Sequence, residues 1–177
     1  ANFKNGLEWT PGLNLATYKN ELKSLESDEL RRVGSLGSPG LGAATPIVIE
    51  PGRPIGDILV PVFNGINPDG TWNVSTDVND FVVAGNGLPD FSLNFTNTFK
   101  YKNWDLNFLL RGVFGHSLVN ATRTFYEQPN VAPTYNVLAS SFRSELDGLT
   151  TNESRLSTFH VEKADFLKLD NITIGYN

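Results

Sequence analysis

The segment from residue 91 to residue 115 alternates apolar and polar residues along two arms that a two-residue turn joins. On the first arm the apolar residues hold odd positions: Phe91, Leu93, Phe95, Phe99 and Tyr101. After Lys102 and Asn103 they hold even positions instead: Trp104, Leu106, Phe108, Leu110 and Phe114. Because successive side chains of a strand point to opposite faces, the pattern predicts a β-hairpin with one apolar and one polar face.

Two environments suit such a hairpin. Its arms reach the ~9–11 residues that a tilted strand needs to cross a lipid bilayer. Tyr101 and Trp104 flank the turn, where an aromatic girdle would meet the membrane–water boundary. These features favour a membrane β-barrel. A soluble antiparallel sandwich has the same alternation, with its apolar face turned to a core, and is an alternative at this point.

The composition excludes several other classes of protein. The 177 residues carry a net charge of −5, which argues against nucleic acid as a partner because phosphate binding needs clustered Lys and Arg. The chain has no cysteine, which rules out disulfides and thiolate metal sites. It has no apolar run of about eighteen residues, so no transmembrane helix is predicted.

Two more long strands are predicted, at about residues 7–20 and 164–177. In the second, the apolar residues change from odd to even positions near Asp170, which indicates a β-bulge or a strand whose upper half leaves the membrane. Residues 21–32 are the only plausible helix. Long outward loops are predicted at about 21–90 and 115–160, and short strand candidates within the first loop are 46–49, 55–63 and 77–84.

Four membrane crossings are clear, and the 21–90 stretch leaves open an extra pair. A closed single-chain barrel needs at least about eight strands, and lipid does not tolerate an open sheet edge. The predicted fold class is therefore all-β: an antiparallel transmembrane β-barrel fragment with long extracellular loops. All 177 residues are assigned to part of one barrel domain.

Several motifs from about residue 50 onward occur in the order and at the spacing of one family. In them the chain resembles the SusC/RagA-like branch of TonB-dependent outer-membrane transporters. The matching segments are Gly52 to Gly56, Gly65-Ile66 with Asp69-Gly70, Gly85 to Phe91, Asn97 to Leu106, Gly112 to Gly115 with Asn120, and Ala164 to Asn177. Asp57-Ile58-Leu59 departs from the family's usual aromatic-glycine pair, and the family's N-terminal plug domain and TonB-contacting segment have no match here.

The resemblance implies a large, plugged barrel of the roughly 22-stranded type in the bacterial outer membrane. It implies import of a bulky nutrient such as a glycan or a peptide, a SusD-like surface lipoprotein as partner, and energy supplied through TonB. Two other functions stay open. One is a passive porin-like channel without a plug, and the other is a secreted all-β sandwich that binds carbohydrate.

In a barrel, the polar face of the hairpin would line the lumen. The lumen-facing transport candidates, whose polar groups suit hydrogen bonds to sugars or peptides, are Asn94, Thr96, Thr98, Asp105, Asn107 and Arg111. Arg111 is a lone cation in a mostly neutral row, so it is expected to pair with a carboxylate of the plug. The alternative is that these residues only solvate the wall, which is the commoner role for any single polar residue.

Aromatic residues supply the other candidate sites. Trp72 and Tyr126 fall in predicted outward loops, where exposed rings favour contact with a ligand or a partner, or else pack the loop itself. Tyr101, Trp104 and Tyr176 are predicted at the membrane interface.

Neither a metal site nor an enzyme is predicted, and no cofactor is expected. Asn67 and Asp69 resemble the middle of a calcium loop, but Gly65 and Thr76 fall where the first and last ligands belong, so an ordinary turn is favoured. No nucleophile–base pattern lies beside either histidine in the sequence.

Overall fold

The structure is a computed structural model that describes residues 1–26, 29–37, 41, 44–151 and 153–177. The chain divides into two compact units. The first contains Ala1–Lys19, Pro89–His116 and Ala164–Asn177, and the second contains Asn20–Leu88 and Ser117–Lys163. None of the helices among the described residues combines the length and the apolar character that a membrane span requires.

The strands are numbered in chain order. They are β1 (Leu7–Thr17), β2 (Arg31–Val33), β3 (Ile47–Ile49), β4 (Asp57–Pro61), β5 (Phe63–Ile66), β6 (Trp72–Val74), β7 (Phe81–Asn86), β8 (Phe91–Tyr101), β9 (Trp104–Phe114), β10 (Ser117–Val119), β11 (Val161–Lys163) and β12 (Phe166–Tyr176). The described part also contains an α-helix, α1 (Ala121–Tyr126), and short 3-10 helices at Val78–Asp80, Pro129–Val131, Ala139–Phe142, Ser144–Leu146 and Thr158–His160.

The first unit is a four-stranded antiparallel sheet with the order β1-β8-β9-β12, and each strand has 11 residues. The β8–β9 hairpin has the bounds that its alternation indicated, with Tyr101 opposite Trp104 beside the turn. Lys102 opens that turn with a φ of 53°, a left-handed conformation that suits tight hairpins and is uncommon outside glycine.

The register gives this sheet one apolar and one polar face, as predicted, because cross-strand partners share a face. Two apolar rows cross all four strands: Leu13, Phe95, Leu110 and Leu169, and then Trp9, Phe99, Leu106 and Ile174. Two polar rows do the same on the other face: Asn14, Asn94, Arg111 and Lys168, and then Thr10, Thr98, Asn107 and Thr173. Leu13 is 68% exposed and Ile174 is 65% exposed, so these side chains are not buried in a protein core.

Strand β12 contains the predicted bulge. Its register against β9 shifts between Leu169 and Asn171, which leaves Asp170 outside the ladder. The inserted residue explains why apolar residues change from odd to even positions along this strand, since both sets stay on the same face of the sheet.

The second unit is formed by the two long connections and has its own sheets. One has the order β2-β3-β4-β7, and two smaller ones pair β5 with β6 and β10 with β11, all antiparallel. The three short strand candidates correspond to β3, β4 and β7, and β7 pairs with β4. Strands in the described part of 21–90 have only 3 to 6 residues, too few for an extra pair of membrane crossings.

The predicted helix at residues 21–32 is wrong. The described residues of this stretch include no helical turn, and Arg31–Val33 form β2, which pairs with β3. A short charged helix without a packing partner is only marginally stable in water, whereas a strand beside an existing edge gains ladder hydrogen bonds. Ser27 and Asp28 lie outside the described residues.

A small core holds part of the second unit together. Trp72, Leu146 and Leu149 are buried at its centre, and the partly buried residues around them are Phe63, Ile66, Val74 and Phe159. Trp72 also donates a hydrogen bond from its ring nitrogen to the carbonyl of Glu153 at 2.9 Å. Of the two roles predicted for Trp72, the structure fits packing of the loop and not exposure to a ligand, because connections of this length bury apolar side chains of their own.

Substitutions in neighbouring residues of β9 test the assignment of the two faces. Phe108 lies on the apolar face, where its ring stacks on Phe99 at 6.1 Å. We expect Phe108→Arg to cost roughly 2–4 kcal/mol of barrel stability, because it places a cation in lipid. Asn107→Arg, on the polar face, is the matched control and should cost much less. Urea unfolding of the barrel in lipid vesicles gives both values, and equal costs would contradict the assignment.

Asn97 is the polar exception on the apolar face. It is only 1% exposed, and its carbonyl oxygen accepts a hydrogen bond from the Trp9 ring nitrogen at 2.9 Å. Trp9→Phe leaves that oxygen unpaired, so we expect a loss of about 1–3 kcal/mol in the free energy of unfolding. Adding Asn97→Leu removes the orphaned group and should restore part of the loss. Additive effects of the two substitutions in a double-mutant cycle would show that the hydrogen bond contributes nothing.

Candidate functional site

The polar face of the four-stranded sheet is the first candidate site. All six predicted transport residues lie on it, and they face one another in cross-strand pairs such as Asn94 with Arg111 and Thr98 with Asn107. The Asn107 side chain donates to the Thr98 hydroxyl at 2.7 Å. Neighbouring strands extend the same face with further amide, hydroxyl and charged groups.

Arg111 has a partner that the sequence did not suggest. Its guanidinium lies 3.3 Å from the carboxylate of Asp170, which the β12 bulge brings beside it. Lys168 approaches the same carboxylate at 2.6 Å. The predicted cation is thus paired within this chain, and the bulge builds a small group of two cations and one anion on the polar face.

This face offers both donors and acceptors to a ligand. Asparagine amides donate and accept, threonine hydroxyls do the same, and the Arg111 group adds one net positive charge. Such a surface suits the hydroxyls of a sugar or the amide groups of a peptide. It holds no arrangement of nucleophile and base that would perform catalysis among the described residues.

The predicted interface aromatics gather at the turn end of the sheet. Trp104 packs edge-on against Tyr176 with ring centroids 4.9 Å apart. The three rings remain exposed, at 39% for Tyr101, 55% for Trp104 and 67% for Tyr176. Amphipathic rings held in this way at one end of a sheet suit a boundary between lipid and water.

The second candidate site is a charged network around α1, which sequence reasoning missed. Arg123 pairs with Glu127 one helical turn later and with Glu162 from β11. Its guanidinium also lies 4.7 Å from the centre of the Phe159 ring. Glu127 is 1% exposed and Arg123 is 9% exposed, whereas the Glu162 side chain is 43% exposed, so the group reaches from the interior of the second unit to its surface. The spacing of four residues between Arg123 and Glu127 was the one signal in the sequence.

The environment of Glu162 explains its acidity. Partial burial alone would raise the pKa of this carboxyl, but hydrogen bonds from Arg123 and Asn120 outweigh burial and hold the pKa below its usual 4.5. The same Asn120 caps α1, since its side chain accepts from the backbone of Arg123 at 3.2 Å.

His160 lies beside this network in a fully buried position. Its ring is 5.6 Å from that of Trp72 and 5.2 Å from that of Phe159. Burial, followed by the positive charge of Arg123, lowers the pKa of His160 from 6.5 to about 4, although Glu162 opposes the shift. Within the described structure neither ring nitrogen has a hydrogen-bond partner, so the neutral ring serves as packing.

Tyr126 is the last residue of α1, within the 115–160 connection that the sequence predicts as an outward loop. It is 38% exposed, its ring contacts Phe125, and its backbone carbonyl accepts from the backbone of Leu138 at 2.7 Å. It remains a candidate for contact with a ligand or a partner, a role that Trp72 loses through burial.

The possible calcium segment forms a tight turn. The amide of Gly70 donates to the carbonyl of Asn67 at 2.9 Å. The Asp69 carboxylate accepts from both the hydroxyl and the backbone of Thr71, and these hydrogen bonds lower the pKa of Asp69. Gly70 has a φ of +81°, and a side chain there would collide with Thr150. The expectation that this turn binds no metal stays a prediction.

The low pKa of His160 makes the second unit sensitive to acid. The unfolded chain protonates this histidine below about pH 6.5, whereas the folded chain keeps it neutral down to about pH 4. Stability is therefore highest above pH 6.5 and falls as the pH drops toward 4, by about 3 kcal/mol at most. Between pH 6.5 and 5 the contribution of Glu162 is still intact, since its folded pKa lies below 4.5.

We expect hydrogen exchange of the α1 amides, corrected for the intrinsic effect of pH, to speed up between pH 6.5 and 5. His160→Phe keeps a ring of similar volume and removes the titrating group, so its exchange should not change in this interval. An identical change in both proteins would contradict the role of His160.

The chain is similar to known proteins in both sequence and fold. No family model matches the chain. It is 22% identical over 196 residues to TonB-dependent receptor P3 of Formosa agariphila, covering 96% of this chain and 20% of that receptor. It is 25% identical over 211 residues to TonB-dependent receptor P26 of the same organism, covering 98% of this chain and 20% of that receptor. The chain thus spans about a fifth of the length of these relatives.

Solved structures give the fold. The chain matches part of a chain in the RagAB peptide importer in the 'closed-closed' state, with a TM-score of 0.72 and 16% identity, covering 99% of this chain and 21% of that one. A second structure, of the RagAB peptide transporter, gives a TM-score of 0.69 with 14% identity and the same coverage.

Proposed function

We propose a function for this chain from its resemblance, in sequence and in fold, to a segment of the SusC/RagA-like TonB-dependent receptors. The predicted fold class, an all-β fragment of an antiparallel barrel, is confirmed. The chain forms part of the wall and outer loops of a bacterial outer-membrane barrel that actively imports a nutrient. The observation that carries this proposal is the two-faced sheet of 11-residue strands.

The strand length fits a lipid bilayer. Eleven residues at about 3.3 Å each span roughly 36 Å, and a tilt of about 45° reduces this to roughly 26 Å. That height agrees with the apolar band of about 25 Å found on outer-membrane barrels. The apolar rows would then face lipid, which explains why residues such as Leu13 and Ile174 stay exposed.

The polar rows would face the lumen and the imported nutrient. Their amides, hydroxyls and the Arg111–Asp170 pair can exchange hydrogen bonds with a glycan or a peptide without holding it tightly. The relatives are named as receptors and importers, which agrees with a transport role and not with catalysis.

The loops would lie on the cell exterior. Thr17, Phe91 and Phe114 are in register at one end of the sheet, and both long connections leave from that end. The two-residue turn lies at the opposite end, where it suits the periplasm. A SusD-like surface lipoprotein above these loops, and TonB below, complete the proposed importer.

The two alternative functions require other structural features. A carbohydrate-binding sandwich needs a second layer over the apolar face, and the exposure of Leu13 and Ile174 disfavours one. A passive porin needs an open lumen, which separates it from a plugged importer by its conductance.

Uptake by the complete barrel tests the proposal. We expect import of a labelled glycan or peptide by intact cells to require both TonB and the inner-membrane proton gradient, and to stop without either. The purified barrel should give no steady conductance in a planar bilayer, because the proposed plug fills it. A large constant conductance together with uptake that persists without TonB would establish the porin instead.

A further inference from the structure

The second unit contains a cavity of about 280 Å³ that neither the motifs nor the transport face accounts for. Its apolar lining, here called the floor, includes the partly exposed residues Leu59 of β4, Val74 of β6 and Phe81 of β7. Two guanidinium groups, those of Arg32 and Arg155, lie on its wall. Among the described residues that line this cavity there is no carboxylate and no lysine.

The charge of this cavity is opposite to that of the chain. The chain has a net charge of −5, but the described lining carries two positive charges. Two carboxylates lie beside the lining, that of Glu153 on Arg155 at 2.8 Å and that of Asp80 on the Ser75 hydroxyl at 2.6 Å, so the attraction for an anion comes from direct contact with the two guanidinium groups. Since arginine presents a planar fork of N–H donors, carboxylates are preferred partners.

Both arginines are available to a ligand. The Arg32 guanidinium is stacked 4.9 Å from the centre of the Phe81 ring, and it takes part in no ion pair among the described residues. Arg155 contacts Glu153 at 2.8 Å, but both side chains are about half exposed or more, at 49% and 67%. Exposed pairs of this kind are weak, so a ligand carboxylate can replace Glu153.

Hydroxyl groups extend the polar wall. Thr45 and Thr76 line the cavity, and neither side chain makes a hydrogen bond within the described structure. Ser154, by contrast, is held by Gln128 at 2.7 Å and serves to fix the wall. The free hydroxyls provide donors and acceptors for the backbone of a ligand.

We infer that this cavity binds the C-terminal carboxylate of a peptide, with the side chain of the last residue on the apolar floor. A free inorganic anion would leave Leu59 and Phe81 unused, and an uncharged ligand would leave the arginines unused. The carboxylate lies between Arg32 and Arg155, and the peptide backbone follows Thr45 and Thr76. The inference concerns binding alone, so it can fail while nutrient import stands.

Equilibrium binding to the complete barrel in detergent tests the inference. The probes are the tetrapeptide Ala-Ala-Ala-Phe with a free C-terminus and the same peptide with a C-terminal amide, measured by isothermal titration calorimetry. We expect the amide to bind at least about tenfold more weakly, because it loses charge-assisted hydrogen bonds to two guanidinium groups. Equal affinities for the two peptides would overturn the inference.

Variants locate the site. Arg32→Gln and Arg155→Gln should each weaken the free acid about tenfold and leave the amide unchanged, and Arg32→Lys should have a smaller effect because it keeps the charge but loses the fork. Arg53→Gln is the matched control, since it removes an equal charge from the same unit outside the cavity lining. If Arg53→Gln weakens binding as much as the other two, the attraction is only long-range and the site is disproved.

Two further measurements distinguish a peptide from an acidic glycan, and binding from import. A trimer of galacturonic acid presents carboxylates without an apolar side chain. Tighter binding of this trimer than of the peptide would assign the cavity to acidic glycans and overturn the inference that it binds a peptide.

Uptake measured on the same variants separates the binding inference from the transport proposal. If an arginine variant loses peptide binding but still imports normally, the transport proposal stands. If it loses import but still binds the peptide, the cavity assignment stands.

Discussion

The cross-strand backbone ladder of the four-stranded sheet is the interaction on which the first unit depends. Its two-residue period decides which face each side chain occupies, so a strand that slipped by one residue against its neighbours would turn its apolar residues to the polar face. A slip of β9 would place Asn107 and Arg111 among the apolar rows. The ladder therefore determines which side chains the apolar face presents and which groups the polar face offers to a ligand.

Leu109 and Val113 are apolar residues on the polar face, opposite Thr96 and Ser92, and two polar residues that also depart from the alternation are accommodated by local contacts. Asn97 lies in an apolar row, where the ring nitrogen of Trp9 satisfies its carbonyl oxygen. Asp170 lies outside the ladder, and the bulge that holds it places its carboxylate between Arg111 and Lys168. In both cases a polar group on the sheet is paired by a side chain from an adjacent strand or from its own bulge. The register is therefore kept with a partner for the Asp170 carboxylate and for the amide oxygen of Asn97, while the amide nitrogen of Asn97 stays buried without a hydrogen-bond partner in the described structure.

The second unit is stabilised in a different way. Its apolar core around Trp72 is small, and its interior also contains the buried Arg123–Glu127 ion pair. Glu127 and His160 are both almost fully buried beside Arg123. An interior of this kind holds loop segments in fixed positions, which a binding cavity with two arginine side chains requires. It also makes these loops more sensitive to acid than an apolar core would be.

The hairpin, the bulge near Asp170 and the two faces of the sheet follow from the order of the residues alone, because strand alternation is a local pattern that can be read along the chain. The predicted helix at residues 21–32 failed because a neighbouring strand edge, distant in sequence, supplies hydrogen bonds that local propensity does not register. For Trp72 the local pattern left both exposure and packing open, since its neighbours Leu146 and Phe159 come from another connection. The partner of Arg111, the buried position of His160 and the cavity lined by Arg32 and Arg155 depend on tertiary contacts, because each joins residues that are far apart in the sequence.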